Sequence, residues 1–216
     1  MPDLTTYIII APPILLALAF HEFAHGWVAN RLGDPTAKQA GRLTMNPLSH
    51  LDLVGTIMLF VAHIGWAKPV PVNPYNLNNP RRDIIWVSLA GPGANIIMAA
   101  GFGLMIRLFD GGGLFAGIQL PRPLILVLVY GVIINISLAI FNMIPIPPLD
   151  GSRILGGLLP EEMEAQYRKL DRLGPMLVLV LVMGGYMLNI PILWWIIMPF
   201  LKFFSILFAG IDLSHL

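Results

Sequence analysis

The sequence predicts an all-α polytopic membrane protein with about five to six transmembrane helices, one re-entrant element and a short membrane-associated β segment. Of its 216 residues, 56% are hydrophobic and only 12% are charged, and its mean hydropathy is +0.76. A water-soluble core of this size does not need so much apolar surface, whereas helices that face lipid do. We therefore expect a single domain over residues 1–216, embedded in the lipid bilayer.

Charge and cysteine content exclude several classes of function. The net charge is +1, from 13 basic and 12 acidic residues with no basic run, so no nucleic-acid partner is expected. Cysteine is absent, which excludes disulfides, a thiolate nucleophile and a Cys-ligated zinc ion. The stretch before the first apolar run has no basic residue, so we expect no cleaved signal peptide.

The first apolar run, residues 8–28, contains the motif His21-Glu22-x-x-His25. Its length suffices for one tilted membrane crossing. Because residues four apart share one face of a helix, both imidazoles can bind one divalent metal. A carboxylate beside them can take a proton from an attacking water. Ionisable groups are costly in such a run, so we predict His21 and His25 as metal ligands and Glu22 as general base.

Two unusual segments follow the first crossing. Residues 53–64 form an apolar run of 12 residues, too short to span, which favours a re-entrant loop or a short buried helix. Residues 65–74 contain three prolines, which exclude a helix and favour an extended strand with a free edge. Such an edge can pair with another backbone, so Val70, Val72 and Asn73 are candidate substrate-binding residues. The alternative is an ordinary proline-rich loop at the membrane interface.

The distribution of basic residues predicts the orientation in the cell membrane. The remaining apolar runs long enough to count as crossings cover residues 84–108, 124–144, 175–188 and 192–209. If the short run 53–64 enters and leaves on one side, ten basic residues share that side and only Arg107 and Arg122 lie opposite. The basic side is expected to be cytoplasmic. This arrangement gives five crossings, a motif in the cytoplasmic half of the bilayer and an N-terminus outside.

Two histidines leave a metal site incomplete, and several residues compete to complete it. Asp150 follows a proline-broken helix end at the same predicted depth as His25. His50 and Asp52 also lie near the cytoplasmic interface, so the residues alone leave both possibilities open.

The stretch Gly91-Pro-Gly-Ala-Asn95 also has two interpretations. Its small residues favour close helix packing. Alternatively, they bring this helix against the metal helix while Asn95 donates a hydrogen bond to substrate or to a developing oxyanion. Asn142 has the same two interpretations.

Three motifs together resemble the site-2 protease family of intramembrane zinc metalloproteases. They are His21-Glu22-x-x-His25, Gly91-Pro-Gly-Ala-Asn95 and Asn142-x-x-Pro145-x-x-x-Leu149-Asp150-Gly151. The resemblance implies one Zn²⁺ per chain, with His21, His25 and Asp150 as ligands and Glu22 as general base. It further implies Asn95 and Asn142 as residues that bind substrate or stabilise the oxyanion. The short members are the most similar, so regulation by PDZ or CBS domains is not expected.

The expected activity is hydrolysis of a peptide bond within or near the transmembrane segment of single-span membrane proteins. Because a helical backbone is closed to attack, the substrate must unwind first, and residues 70–73 can then pair with it. One alternative is a membrane transporter or metal-ion carrier that uses the same His/Asp site. A second is a catalytically inactive family member that acts as a membrane adaptor. Nothing in the sequence indicates an oligomeric state.

Overall fold

The computed structural model describes residues 4–62, 65–109, 113–115, 117–187 and 191–215. The long helices are α1 (Leu4–Arg31), α4 (Pro80–Phe109), α5 (Arg122–Asn142) and α9 (Ile192–Ala209). The shorter helices are α2 (Thr36–Gln39), α3 (Leu53–Ala62), α6 (Asp150–Leu158), α7 (Glu161–Tyr167) and α8 (Gly174–Met187). Short 3-10 turns lie at Pro47–His50, Pro74–Asn76 and Arg168–Arg172. The prediction of an all-α protein is confirmed for this part of the chain.

Within the described residues, four helices rather than five are long and apolar enough to cross a membrane. They are α1, α4, α5 and α9, with mean hydropathies between 1.6 and 2.7. The remaining predicted crossing, residues 175–188, corresponds to α8, which has 14 residues in the described part of the chain. At a rise of 1.5 Å per residue it extends roughly 21 Å, less than the hydrocarbon thickness of about 30 Å.

The directions of the long helices fit an even number of crossings. Near the end of α4, the Arg107 Nη2 donates to the carbonyls of Ile206 (2.9 Å) and Leu207 (2.7 Å), near the end of α9. These two helices therefore end at the same end of the bundle. Contacts of Asn95 with α1 and α5 place the middles of the helices at one level.

The apolar core lies where α4, α5 and α9 meet. Its buried members are Ala99, Val129, Val132, Ile136, Ile197, Leu201 and Leu213. Gly131 faces the ring of Phe102, and a Cβ at Gly131 would lie 2.5 Å from that ring. Outward-facing apolar side chains such as Ile97 and Trp195 are 74% and 64% exposed. Apolar side chains on the outside of these helices fit a lipid environment, where they avoid water.

The predictions for residues 53–74 need correction. α3 is a short helix, and the side chains of Leu53 and Val54 at its start are 77% and 58% exposed, so these two are not buried. Nothing in its described residues supports a re-entrant element. Residues 65–73 form no β strand where the structure describes them, and one isolated antiparallel bridge joins Leu51 to Ala67. The prolines explain this, because each lacks the N–H that a ladder needs.

Candidate metal centre

The C-terminal half of α1 places His21 and His25 on one face, as predicted. Their side chains are buried, and their Nε2 atoms lie 3.0 Å apart. A helix brings residues four apart into this relation without help from other elements. The sequence could therefore specify this half of the site by itself.

Asp150 lies opposite the two imidazoles, at the first residue of α6. Its Oδ2 is 3.2 Å from the Nε2 of His21 and 3.3 Å from that of His25. Gly151 makes this position possible, since a Cβ there would meet the backbone of Met143 and lie 2.7 Å from the Ile144 carbonyl oxygen. The start of α6 can thus approach the end of α5 closely enough to point Asp150 at the histidines.

The donor set fits a divalent cation. The Nδ1 of His25 faces the Val87 carbonyl at 2.7 Å, and that of His21 faces the Asn95 Oδ1 at 2.6 Å. A carbonyl oxygen only accepts, so each Nδ1 carries the proton and each Nε2 of a neutral ring presents a lone pair. No described residue donates a hydrogen bond to the buried Asp150 Oδ2. Two imidazole lone pairs and one carboxylate oxygen thus lie within 4.8 Å of one another, a set of ligand atoms that suits Zn²⁺.

The competing ligand candidates lie elsewhere. His50 is buried with its Nε2 2.8 Å from the Thr44 carbonyl oxygen, and Asp52 accepts the Gly55 N–H at the start of α3. Among the described residues, the group that can hold a metal consists of His21, His25 and Asp150. The fold therefore does not form the alternative metal site that His50 and Asp52 would have completed.

Gly91 allows α4 to lie directly against the two imidazoles. A Cβ at Gly91 would come 2.6 Å from the His21 Cε1 and would also clash with the His25 ring. A Cβ at Gly93, by contrast, would meet no atom within 4 Å. The two glycines of this stretch therefore differ, and only Gly91 is required by close packing on the metal helix.

The two asparagines predicted to contact substrate lie in different surroundings. Asn95 is wholly buried behind His21, where its Nδ2 donates to Ala17 O at 3.1 Å and to Asn135 Oδ1 at 3.0 Å. Its amide is thus committed to protein partners. Asn142 is half-buried at the end of α5 and donates its Nδ2 to Leu138 O at 3.0 Å. No described residue donates to the Asn142 side-chain oxygen.

Glu22 joins the metal centre to the extended segment. Its Oε2 accepts the backbone N–H of Val70 at 2.7 Å, so residues 65–73 pass beside the predicted general base. The Lys68 N–H in turn donates to His50 O at 2.9 Å. The sequence predicted Val70 near the site, and the structure shows that a backbone group makes the contact.

Asp34, which the sequence analysis did not single out, anchors the far end of this segment. It is wholly buried, and its carboxylate accepts the Asn73 N–H at 2.7 Å and the Asn76 Nδ2 at 3.0 Å. It also accepts from the N–H and hydroxyl of Thr36. Burial raises the pKa of Asp34, but the hydrogen bonds from Thr36, Asn76 and Asn73 outweigh it and hold the pKa below 3.8.

Asn135 was also missed, although one signal was available. It is a wholly buried amide within the apolar helix α5, and polar groups in such helices are costly unless they have a partner.

Two further histidines lie away from the metal centre or outside the described residues. His215 lies 3.5 Å from Asp212 in the C-terminal tail, and His63 lies outside the described residues.

Comparison with known proteins identifies the family. The profile of Peptidase family M50 matches residues 117–185. YwhC of Bacillus subtilis, named as a zinc metalloprotease, is 38% identical over 190 residues, which cover 86% of this chain and 85% of YwhC. Rip2 of Mycobacterium tuberculosis, also named as a zinc metalloprotease, is 33% identical over 156 residues, 67% of this chain and 55% of Rip2.

A third relative extends the same result. Rip2 of Mycolicibacterium smegmatis is 29% identical over 185 residues, covering 82% of this chain and 67% of that protein. No solved structure matches the chain. The fold and the relatives define a membrane-embedded metalloprotease. The chain belongs to peptidase family M50, the site-2 protease family, which confirms the resemblance seen in its three motifs.

Proposed function

We propose that this protein is an intramembrane zinc metalloprotease that hydrolyses a peptide bond within or near the transmembrane segment of single-span membrane proteins. The observation that carries the proposal is the convergence of His21, His25 and Asp150 beside Glu22, between helices long enough to cross a bilayer. Site-2 protease family membership supports the same reaction class.

The two Nε2 atoms and the Asp150 carboxylate would hold one zinc ion per chain. Zinc bound there would polarise the scissile carbonyl and would make a water molecule lose its proton more readily as it attacks that carbonyl. Three protein ligands are the number found at catalytic zinc sites, which keep one position for water or substrate. The proposed site has this number and no described fourth ligand.

Glu22 is the proposed general base. The Val70 N–H fixes its Oε2, which leaves Oε1 to take a proton from the attacking water and to pass it to the leaving amine. The half-buried position of Glu22, next to the buried His21 in the sequence, fits this role. Asn142, with its free carbonyl oxygen, remains a candidate for orienting substrate.

The backbone of residues 70–73 is the proposed receiver of the unwound substrate. The N–H groups of Val70 and Asn73 are bonded to Glu22 and Asp34, whereas that of Val72 has no partner in the described part of the chain. In an extended chain, residues two apart direct their backbone groups to the same side. Val72 can therefore offer a hydrogen bond to a substrate on the Glu22 side.

A cavity of about 760 Å³ supports access from the polar side of the site. Pro148 and Ser152, on either side of Asp150 in the sequence, line it together with Val72, Tyr75 and Arg153. We propose that water and the polar flank of the substrate enter here. The bias of basic residues supports a cytoplasmic location for this side, with the N-terminus outside.

Cleavage by Glu22→Gln tests the proposal most directly. The purified wild type and this variant are co-reconstituted with a panel of single-span substrates and scored for truncation inside the span, with bound zinc measured in parallel. We expect the variant to retain zinc and to lose cleavage by at least about 100-fold, the usual contribution of a general base. A metal-ion carrier would move zinc across the vesicle in both forms. Equal cleavage by both forms, or no cleavage by either, would contradict the proposal.

A further inference from the structure

Two asparagine side chains are wholly buried where α1, α4 and α5 meet. Asn95 and Asn135 both have 0% exposure, and both lie within helices of membrane-crossing length. A primary amide in such a place is costly unless its donors and acceptor are satisfied. Both amides are therefore expected to have hydrogen-bond partners within the protein.

Backbone carbonyls fix the direction of this chain of bonds. The Asn135 Nδ2 donates to Gly131 O at 2.8 Å, so its Oδ1 must be the atom that faces Asn95. The Asn95 Nδ2 donates to that Oδ1 at 3.0 Å and to Ala17 O at 3.1 Å. Because carbonyl oxygens only accept, neither amide can turn over without placing two acceptors in contact.

We propose that Asn95 and Asn135 are positioning residues that hold His21 in the tautomer needed to bind metal. With both amides fixed, the Asn95 Oδ1 faces the His21 Nδ1 at 2.6 Å and requires a proton there. The Nε2 of His21 then keeps its lone pair for the metal. The inference rests on the metal centre of the proposed function, but it concerns the ligand and not the hydrolysis.

His25 provides the comparison within the same site. Its Nδ1 donates directly to the Val87 backbone carbonyl at 2.7 Å, an acceptor that no side-chain substitution removes. His21 depends on side chains instead. Substitutions at Asn95 and Asn135 are therefore expected to affect one histidine ligand and leave the other unchanged.

The competing explanation is that the amides only stabilise the packing of the three helices, since hydrogen bonds between polar groups also stabilise helix association in membranes. Asn95→Asp separates the two roles. Its carboxylate can still accept from the His21 Nδ1, as carboxylates do beside many metal-bound histidines, but it cannot donate to Ala17 O or to Asn135. Asn95→Leu has a similar size and removes both functions.

The experiment uses the full chain in detergent micelles with Asn95→Leu, Asn95→Asp and Asn135→Leu. Ser88→Ala is the matched control, because Ser88 is also buried in α4 but its hydroxyl has no partner among the described residues. Zinc affinity is measured by competition with a chelator, and the ring protonation of His21 by ¹⁵N NMR on metal-free protein. Thermal unfolding reports on helix packing.

We expect Asn95→Leu to weaken zinc binding by about 10- to 100-fold and to mix the two tautomers of His21 only. Asn135→Leu should weaken zinc binding less than Asn95→Leu does, because Ala17 O still orients Asn95. Asn95→Asp should unfold at a lower temperature and yet bind zinc like the wild type and the Ser88→Ala control.

The inference is overturned if Asn95→Leu binds zinc as tightly as the wild type, or if Asn95→Asp loses as much affinity as Asn95→Leu. If Asn95→Leu does not fold, Asn135→Leu provides the test. An unchanged zinc affinity and a single His21 tautomer in Asn135→Leu would then contradict the positioning role. A wild type that binds zinc but cleaves no substrate would refute the proposed function and leave this inference standing.

Discussion

The metal cluster and the extended segment at residues 65–73 meet at Glu22, and they are attached to the helices in different ways. The cluster is enclosed: His21, His25 and Asp150 are at most 9% exposed, with Gly91 packed against both rings. The segment is held at separate backbone groups, where Glu22 and Asp34 accept single N–H bonds. One region is fixed by packing and the other by a few hydrogen bonds.

This difference matches what the two regions are proposed to do. A close-packed site tolerates little change in volume, so its ligand atoms keep their positions without a bound substrate. A segment held by single bonds can exchange partners one at a time, as the entry of a substrate strand requires. Substitutions in the two regions should therefore differ in how strongly they change zinc binding and turnover.

Gly91→Ala tests whether the packing of α4 against the two histidine rings can relax. The new methyl group would overlap the rings of His21 and His25, so we expect zinc binding and cleavage to fall by at least about 100-fold. Bound zinc is measured by elemental analysis of purified protein. Gly93→Ala is the control, since its methyl group would enter open space and should change neither quantity. Wild-type zinc content in Gly91→Ala would show that the packing can relax.

Val70→Pro tests the attachment of the segment to Glu22. The substitution removes the N–H that Glu22 accepts, while the backbone before Pro71 is already restricted to an extended conformation. We expect kcat to fall by about 10-fold, the equivalent of one net hydrogen bond, with zinc content unchanged.

Val70→Ala is its matched control, because it shortens the same side chain and retains the N–H. The kcat of Val70→Ala should therefore exceed that of Val70→Pro. If the two variants have the same kcat, the Glu22–Val70 bond does not orient the base.

Asp34→Asn tests the other anchor of the segment. Because the folded pKa of Asp34 is depressed, its stabilising effect is complete above pH 3.8 and is lost as the pH falls through the lower folded value. We expect hydrogen exchange at Asn73 to accelerate several-fold in the variant at neutral pH, as the charged acceptor is lost.

The pH dependence provides the check on Asp34. After correction for intrinsic rates, wild-type protection at Asn73 should decrease below about pH 4, and the variant should show no such decrease. Asp212→Asn, which changes an acid of the C-terminal tail, should leave Asn73 protection as in the wild type. A wild-type segment that keeps full protection through this range would contradict the assignment.

Arg168→Gln should have the smallest effect, because it lies outside both regions. Arg168 pairs with Glu164 on the cavity wall at 2.6 Å, but its side chain is 70% exposed. An exposed pair of this spacing contributes about 0.5 kcal/mol or less. Thermal unfolding in detergent and bound zinc should therefore match the wild type, and a large loss of either would show that the cavity wall supports the site.

Much of the site was predictable because its parts are local in sequence. The spacing of His21 and His25 fixes their common face, and the proline-broken end before Asp150 marks a turn that a crossing helix does not need. The choice of Asp150 over His50 and Asp52 was not predictable from the residues alone. All three follow polar breaks near one interface, and only the close approach permitted by Gly151 selects among them.

The same limit explains the errors in the fold. Apolar length identified α1, α4, α5 and α9, yet it also counted α8 as a crossing. The strand predicted from the prolines of residues 65–74 was a separate error. Hydropathy measures transfer into an apolar medium and does not distinguish a short apolar helix from a crossing. The long-range contacts of Asp34, Asn95 and Asn135 could not be predicted from the sequence, because they join residues between 39 and 78 positions apart.

The membrane class, the long helices and the pair of imidazoles follow from the amino-acid sequence, since these depend on composition and on spacing within one helix. The packing of the helices establishes which carboxylate faces that pair, which backbone group holds Glu22 and how His21 is oriented. Those contacts join distant parts of the chain, and they form only after the helices have packed.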